Sequence, residues 1–557
     1  MEEKQVPSHN LKLDFTNDKN LNLSFFKWLF ETDNIELFCI EDPVPLSKKT
    51  LIYYTKELKD FFDTIPMQRL KRILQLGKFI DNNSSALHTR YEHSLGVYNL
   101  KKNIIMMQYF NDPEFKKFVE ENNLKLHLLA ELIKSAGHDI GHLPLSHVLE
   151  LSVIKRPGFH EKIGRRILLE NEQILTCLNS ISPKLYNALK DTLDNDIFGF
   201  KLLDEGNYDV DRFDYLYRDL AFNGEPKPDE FEPFKLVKVK AKYSKPILDK
   251  SGRALTSDSK IQNYKFIPVF DIKSLPSIEK FLNLRIKAYK DSYFNPITEI
   301  RDKSLATVLN RALKDKEQHG LDLQLFLEYL KSIKSAQDVD LKEWLSWNDL
   351  NFYNELLNIA EFTTNETLQK AAIFAVPGLE QLFDLSAKML NLKDRPNDFS
   401  DFDRSFLKRL HRYVNEKNEF TKNLSDVNYW NKCIKFTSDP KKIEKLLYMP
   451  DLPIEYYSHK LTAYNPNDPI FVMTDSGEIY EYEHIPNREP NVSDKPIQIS
   501  VAFCFIPFLE ELQKQSISSL DTTLNGVNQF TFSTPYLNRP SPSRMYIENA
   551  YLDNEER

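Results

Sequence analysis

The stretch AGHDIGHLPLSHVLE, residues 136–150, sets His138, Asp139, His142, His147 and Glu150 into fifteen positions. His88, His93, His127 and His160 flank it, so seven of the twelve histidines fall within 73 residues, where random scatter would leave one or two. Imidazole and carboxylate groups together suit a hard or borderline divalent cation. His138 and His142 are four apart and share one helical face if that turn is helical. His138 and Asp139 diverge by about 100° and grip one cation only if it sits between them. Two further ligands must come from elsewhere, and His93 in TRYEH and Asp211 in YDVDRFDYLYRD are the natural candidates. A lone helical histidine is usually a satisfied core or surface residue, and an acidic cluster usually a solvated face. That plain reading weakens here because the residues come in the order H…HD…D.

Helices must position these groups. Residues 1–48 read as an irregular lead-in, with Pro43 and Pro45 marking an extended stretch. From YYTKELKDFF onward apolar residues recur at helical spacing, with Leu70, Ile73, Leu74 and Leu76 leading to a glycine stop at Gly77. Helices are expected through HSLGVYNLKKNIIMMQYF, LKLHLLAELIKSAG, HEKIGRRILLENEQIL and SPKLYNALKDTL, which gives a core at 49–330. Within it, KLVKVKAKY alternates Lys238, Lys240 and Lys242 with Val237, Val239 and Ala241, the pattern of a half-buried strand whose lysines guard a sheet edge or meet phosphate. Helical periodicity runs on to about 415, giving a helical extension at 331–440. The last part, 441–557, combines a helix at PKKIEKLL, a hairpin around Asp475, Ser476 and Gly477, the strand IQISVAFCFI and a polar tail. It reads as a smaller α/β lobe, and the fold class is mainly α with a short β insertion.

Composition narrows the partners. Glycine is scarce, 14 residues in 557, while helix formers abound. The net charge of −8 argues against wrapping nucleic acid over a broad face, though a few arginines could hold a small anion. Cys39, Cys177, Cys433 and Cys504 form no CxxC pair, which suggests buried thiols in a reducing compartment. No apolar leader or bilayer-length apolar run is present, so a cytoplasmic protein is expected.

HTRYEHSLGV, AGHDIGHLPLSHVLE, FHEKIGRRIL and DVDRFDYLYRD together resemble the successive motifs of HD-domain phosphohydrolases, and most closely the deoxynucleoside triphosphate triphosphohydrolases typified by the sterile-alpha-motif-and-HD-domain protein, over about residues 35–300. The lead-in is too short to contain a sterile alpha motif domain. The resemblance implies an all-helical HD core in which His93, His138, Asp139 and Asp211 hold a divalent metal (Mg, Mn, Fe or Zn), and water attacks the α-phosphorus of a dNTP. His142, His147 and His160 match catalytic histidines, and Glu150 stands where the family has an aspartate paired with the position of His160.

By the same resemblance Arg90, Arg212 and Arg285 contact phosphate, with Arg212 replacing a lysine. Tyr215 packs on the sugar, Asp219 and Gln75 bind its 3′-hydroxyl, and Tyr293 lies on the substrate side. Phe294, Asn295 and Pro296 depart from the polar and basic residues expected there. Asp63, Gln68 and Lys71 resemble positions that read a regulatory guanine, with Lys71 in place of an arginine. Phe38 and Glu41 replace a lysine and an asparagine that hold activating nucleotides, and a glutamate would repel triphosphate there. Activation by nucleotide, by another ligand or not at all stays open, as does assembly into a dimer, tetramer or hexamer. The alternatives are an HD-type nuclease acting on single strands, less favoured given the charge, and a non-catalytic nucleotide-sensing scaffold.

Overall fold

Thr89 opens the longest described helix. Its backbone N–H donates to Glu92 Oε2 at 2.7 Å and its hydroxyl accepts from the Glu92 amide at 3.4 Å, a reciprocal capping box that starts Arg90–Asn111. In this computed structural model the described residues are 4–6, 37–42, 44, 51–76, 87–222, 236–241, 247–248, 266–289, 293, 305, 309, 321–363, 372, 454–488 and 497–504. The helix PKKIEKLL, the tail beyond 504, Cys433 and the departures at 294–296 lie outside them.

Arg90–Asn111 packs against Lys125–Ala136 and Val210–Phe222, and these three helices bring the HTRYEH, HD and DVDRFDY motifs together. Leu95, Ile104, Leu128, Leu132, Phe213 and Leu216 are fully buried between them or nearly so. Each such side chain contributes about 1.5–3 kcal/mol on burial, so the core fixes the motifs' spacing.

Two helical expectations are corrected. The stretch leading to Gly77 turns at Ile65–Arg69, tightens into a 3₁₀ turn at Leu70–Arg72 and then extends, because Leu74 bridges to Thr89 and the Gln75 amide donates to the His88 carbonyl at 3.0 Å. HEKIGRRILLENEQIL is two helices, Phe159–Glu170 and Glu172–Ile181, broken where the Asn171 side chain caps the second by accepting from the Gln173 and Ile174 amides.

Ten strands are described: β1 Lys4–Val6, β2 Leu37–Glu41, β3 Leu51–Thr55, β4 Leu236–Ala241, β5 Ile247–Leu248, β6 Phe266–Asp271, β7 Ile454–Leu461, β8 Phe471–Met473, β9 Ile479–Glu481 and β10 Ile497–Cys504. Strand β2, inside the stretch read as irregular, pairs antiparallel with β1 and β3. Strand β4 takes the edge of a five-stranded sheet of order β4-β6-β8-β9-β5, so strands from the insertion and from the C-terminal part share one sheet. Strands β7 and β10 form a separate antiparallel pair. The whole is mainly helical with small sheets. Among the described residues no helix is long and apolar enough to cross a membrane.

Candidate active site

Residues 137–146 form a run of turns, so the condition under which His138 and His142 would share a helical face is not met. The turn is shaped by a close approach. A Cβ on Gly141 would lie 2.1 Å from the His160 carbonyl oxygen and 2.5 Å from the Gly164 nitrogen, so only glycine lets this loop touch Phe159–Glu170. Leu145 and Ser146 adopt φ of 57° and 55°, a strained conformation for non-glycine residues. Two distant groups hold it: Asp349 Oδ1 accepts the Leu145 amide at 2.7 Å, and Arg90 donates to Ser146 Oγ at 2.8 Å. Trp344 Nε1 also donates to the Gly141 carbonyl at 3.0 Å.

Four expected ligands converge. His93 Nε2 lies 3.1 Å from His138 Nε2 and 2.9 Å from Asp211 Oδ1, and His138 Nε2 lies 3.3 Å from the same oxygen. Asp139 adds Oδ1 at 3.5 Å from His138 Nε2 and Oδ2 at 3.7 Å from His93 Nε2. The other imidazole nitrogens are committed: His93 Nδ1 faces Asp214 Oδ2 at 2.8 Å, and His138 Nδ1 faces the Ser135 carbonyl at 2.9 Å. Those partners are acceptors, so each Nδ1 carries the hydrogen and both Nε2 lone pairs turn inward beside two carboxylates. Such a cluster is satisfied by a proton or a cation. Burial opposes charge on His93, but hydrogen bonds to Asp211 and Asp214 outweigh it and push that imidazole up to about 10. Burial also disfavours the Asp211 carboxylate, yet its two histidine partners hold it well below the ordinary range. His93, His138 and Asp211 bring one ligand atom each within 4.8 Å of one another, and two nitrogens with a carboxylate fit a borderline divalent ion, with Asp139 at its border. His93 is buried, whereas the Asp211 side chain is 34% exposed, so the cluster opens to solvent on one side.

A second group adjoins it through Asp139, whose Oδ1 is 3.2 Å from His142 Nε2 and whose Oδ2 accepts from Arg90. His142, His147 and His160 bring ring nitrogens within 4.8 Å of one another. Glu150 orders them. Its Oε2 accepts from His147 Nδ1 at 3.1 Å and from His160 Nδ1 at 2.9 Å, while Oε1 accepts the Phe159 and His160 amides. Burial opposes this carboxylate's charge, but the histidine hydrogen bonds keep it ionised well below the usual range. His142 is pushed well below the ordinary imidazole value, first by burial and then by Arg90 and His160.

On the other side Tyr215 stands edge-on to His93, ring centroids 6.3 Å apart, and 6.0 Å from Tyr293. Tyr293 donates its hydroxyl to Asp219 Oδ2, and His88 Nε2 meets Asp219 Oδ1 at 2.6 Å. Gln75 Oε1 is buried without a partner. Arg212 and Arg285 lie within electrostatic reach of Tyr215 but are held by partners of their own. Arg212 donates to the Gly206 carbonyl at 2.7 Å and to Asp209, and Arg285 donates to the Ala463 carbonyl at 2.9 Å. The three guanine-site candidates each meet a different group: Asp63 pairs with Lys59, Gln68 donates to the Phe62 carbonyl at 2.7 Å, and Lys71 sits 4.5 Å from the Tyr91 ring centre. His127 pairs with Asp191, apart from both histidine groups.

Sequence reasoning missed Asp214, Ser146, His88 and Asp349 as supports. Asp214 had a signal, since it lies three residues after Asp211 on one helix, whereas nothing in the sequence ties Asp349 to Leu145.

No protein-family model matches the chain. It is 29% identical over 353 residues to an uncharacterised MG461 homologue of Mycoplasma pneumoniae, covering 59% of this chain and 75% of that one. It is 32% identical over 183 residues to the putative HD domain-containing protein L394 of Acanthamoeba polyphaga mimivirus, covering 30% and 40%. It is 30% identical over 186 residues to the deoxynucleoside triphosphate triphosphohydrolase SAMHD1 homologue of Dictyostelium discoideum, covering 31% and 35%. A crystal structure of a phosphohydrolase from Bacteroides thetaiotaomicron superposes with a TM-score of 0.50 at 20% identity, over 84% of this chain and 99% of that one. The fold matches that of this phosphohydrolase, and about a third of the chain is similar to an HD domain-containing protein. Among the described residues the His93, His138 and Asp211 group could hold a metal ion.

Proposed function

We propose that the protein is a metal-dependent dNTP triphosphohydrolase. Water attacks the α-phosphorus, the bond to O5′ breaks, and a proton reaches O5′, leaving deoxynucleoside and inorganic triphosphate. The carrying observation is the continuity of the inward-facing ligand cluster with the Tyr215, Tyr293 and Asp219 group through the His93–Tyr215 contact. The stretch shared with the Dictyostelium triphosphohydrolase supports the substrate class.

His93, His138, Asp139 and Asp211 would hold the cation, which when bound polarises a phosphoryl oxygen and lowers the pKa of water. The chain's own groups do the rest. Glu150 fixes His147 and His160 with Nδ1 protonated, which leaves their Nε2 atoms as the proton carriers. His147, with 56% of its side chain exposed, exchanges protons with solvent and suits delivery to O5′. His142 stays neutral beside Arg90 and orients water or a phosphate oxygen. Tyr215 lies where a sugar would stack and disfavours a 2′-hydroxyl. Arg212, Arg285 and Gln75 belong to the same reading as contacts to the triphosphate and the sugar. Nucleotide regulation at Asp63, Gln68 and Lys71, assembly as a homo-oligomer and a cytoplasmic place of work belong to the same reading.

The test is chromatographic product analysis with Mn²⁺ or Mg²⁺, each dNTP and NTP alone and in mixtures, and single-stranded oligonucleotides. Deoxynucleoside and triphosphate are expected, and none from a His138→Ala, Asp139→Ala double variant. Diphosphate or shortened oligonucleotides would instead indicate another phosphohydrolase or a nuclease, and no turnover under any condition a nucleotide sensor.

A further inference from the structure

A file of ionised side chains runs inward from the ligand cluster. His93 Nδ1 donates to Asp214 Oδ2 at 2.8 Å. Arg218 grips both oxygens of Asp214, Nε to Oδ2 at 2.9 Å and Nη2 to Oδ1 at 2.8 Å. Its Nη1 donates in turn to Asp42 Oδ1 at 2.8 Å and its Nη2 reaches Asp42 Oδ2 at 3.3 Å. Asp42 follows the end of β2 and is braced by the Val44 amide, which donates to its Oδ1 at 3.0 Å. Asp214 and Arg218 are wholly buried, and Asp42 nearly so.

Stability alone does not account for this file. Taking two carboxylates and a guanidinium out of water costs several kcal/mol per ion, and apolar side chains of equal volume commonly serve as well or better. The helix opposite is also cut away to admit the file: a Cβ on Gly96 would lie 1.8 Å from Asp214 Oδ1 and 2.4 Å from Arg218 Nη2. Geometry supplies the reason. Val210–Phe222 grips the His93 imidazole at both nitrogens, with Asp211 Oδ1 2.9 Å from Nε2 and Asp214 Oδ2 2.8 Å from Nδ1. The ring therefore cannot turn about its own axis without losing one of them. A carboxylate on the far nitrogen fixes the tautomer and raises the basicity of the near one, as behind many metal-bound histidines.

We infer that Asp214 is a positioning residue for the ligand His93, locked by Arg218, which is anchored on Asp42, with Gly96 providing the room. The inference rests on His93 serving as a cation ligand and not on the identity of the nucleotide. It also ties the β1-β2-β3 sheet to the ligand cluster, because Asp42 extends β2.

The test is Mn²⁺ binding to the purified full chain by calorimetry, at a temperature where circular dichroism shows each variant folded. Asp214→Asn is isosteric and keeps an acceptor for Nδ1 while removing the charge, so affinity should fall about tenfold. An Asp42→Asn, Asp214→Leu, Arg218→Met triple variant removes all three charges at similar volume and leaves no buried ion unpaired, so it should stay folded while losing up to about 100-fold in Mn²⁺ affinity. Asp42→Asn, at the far end, should cost a smaller, severalfold loss. A purely structural file would lower melting temperatures and leave the affinity of folded protein unchanged, and that result overturns the inference. Should both Asp214 variants fail to fold, an unchanged affinity in Asp42→Asn overturns it equally. Affinity that follows the variants in a protein that releases no triphosphate from any dNTP would sink the substrate assignment and leave this inference standing. Normal dNTP hydrolysis with equal Mn²⁺ affinity throughout would do the reverse.

Discussion

His142 and His160 lie face to face, ring centroids 3.9 Å apart and planes 23° from parallel. Two stacked imidazoles cannot both be charged cheaply, and burial together with Arg90 and His160 keeps the His142 ring neutral well below the usual imidazole range.

That neutrality is a stability statement. The unfolded chain takes up a proton at this residue near pH 6.5 and the folded chain does not, so stability falls with pH below about 6.5. Compared with His142→Gln, the unaltered protein should lose up to about 1.4 kcal/mol more per pH unit between pH 6 and 5. Denaturant midpoints of the metal-free proteins check this, and parallel profiles would refute it.

His93 works in the opposite direction. Its imidazole is pushed up to about 10, so the metal-free protein holds a proton there that a cation must displace. Mn²⁺ affinity should therefore climb with pH from about 7 to 9, by up to tenfold per unit for one proton released. Calorimetry in buffers of different ionisation enthalpy counts that proton, and a flat affinity over this range would contradict the assignment.

Glu150 reaches both His147 and His160 because its side chain is one methylene longer than an aspartate. Glu150→Asp should leave one of the two histidines unheld and lower kcat about tenfold, whereas Glu150→Ala should lower it by about 10²–10⁴. Steady-state rates on the preferred dNTP decide between these and no effect.

Tyr293 donates to Asp219 beside the Tyr215 ring. Tyr293→Phe removes only that hydroxyl and should raise KM by roughly tenfold with little change in kcat, the pattern of lost ground-state binding. A fall in kcat at constant KM would give the hydroxyl a role in the chemistry instead.

The sequence made the helical core and the convergence of His93, His138, Asp139 and Asp211 readable, because those residues open helices or follow one directly and helical geometry carries them together. It leaves open whether residues 137–146 are helical, and only the structure shows Gly141 trading regular backbone for contact with Phe159–Glu170. Arg212 illustrates a different limit: motif position marks a residue type, but whether its guanidinium faces a ligand or folds onto Asp209 depends on the neighbouring loop. The pairing of β4, β5 and β6 with β8 and β9 was beyond pattern reading, since β-register between stretches about two hundred residues apart leaves no local trace.

Asp349 bonds the amides of both Leu74 and Leu145. During synthesis the ribosome makes Leu145 some 204 residues before Asp349, an interval on the order of 10–40 s. By the time Tyr293 is made the nascent chain carries every candidate site side chain, and it still lacks the carboxylate that pins the strained turn between His142 and His147. The helix Asp349–Phe362 must therefore dock before that turn is held, and a chain arrested short of residue 349 lacks the clamp on its strained backbone.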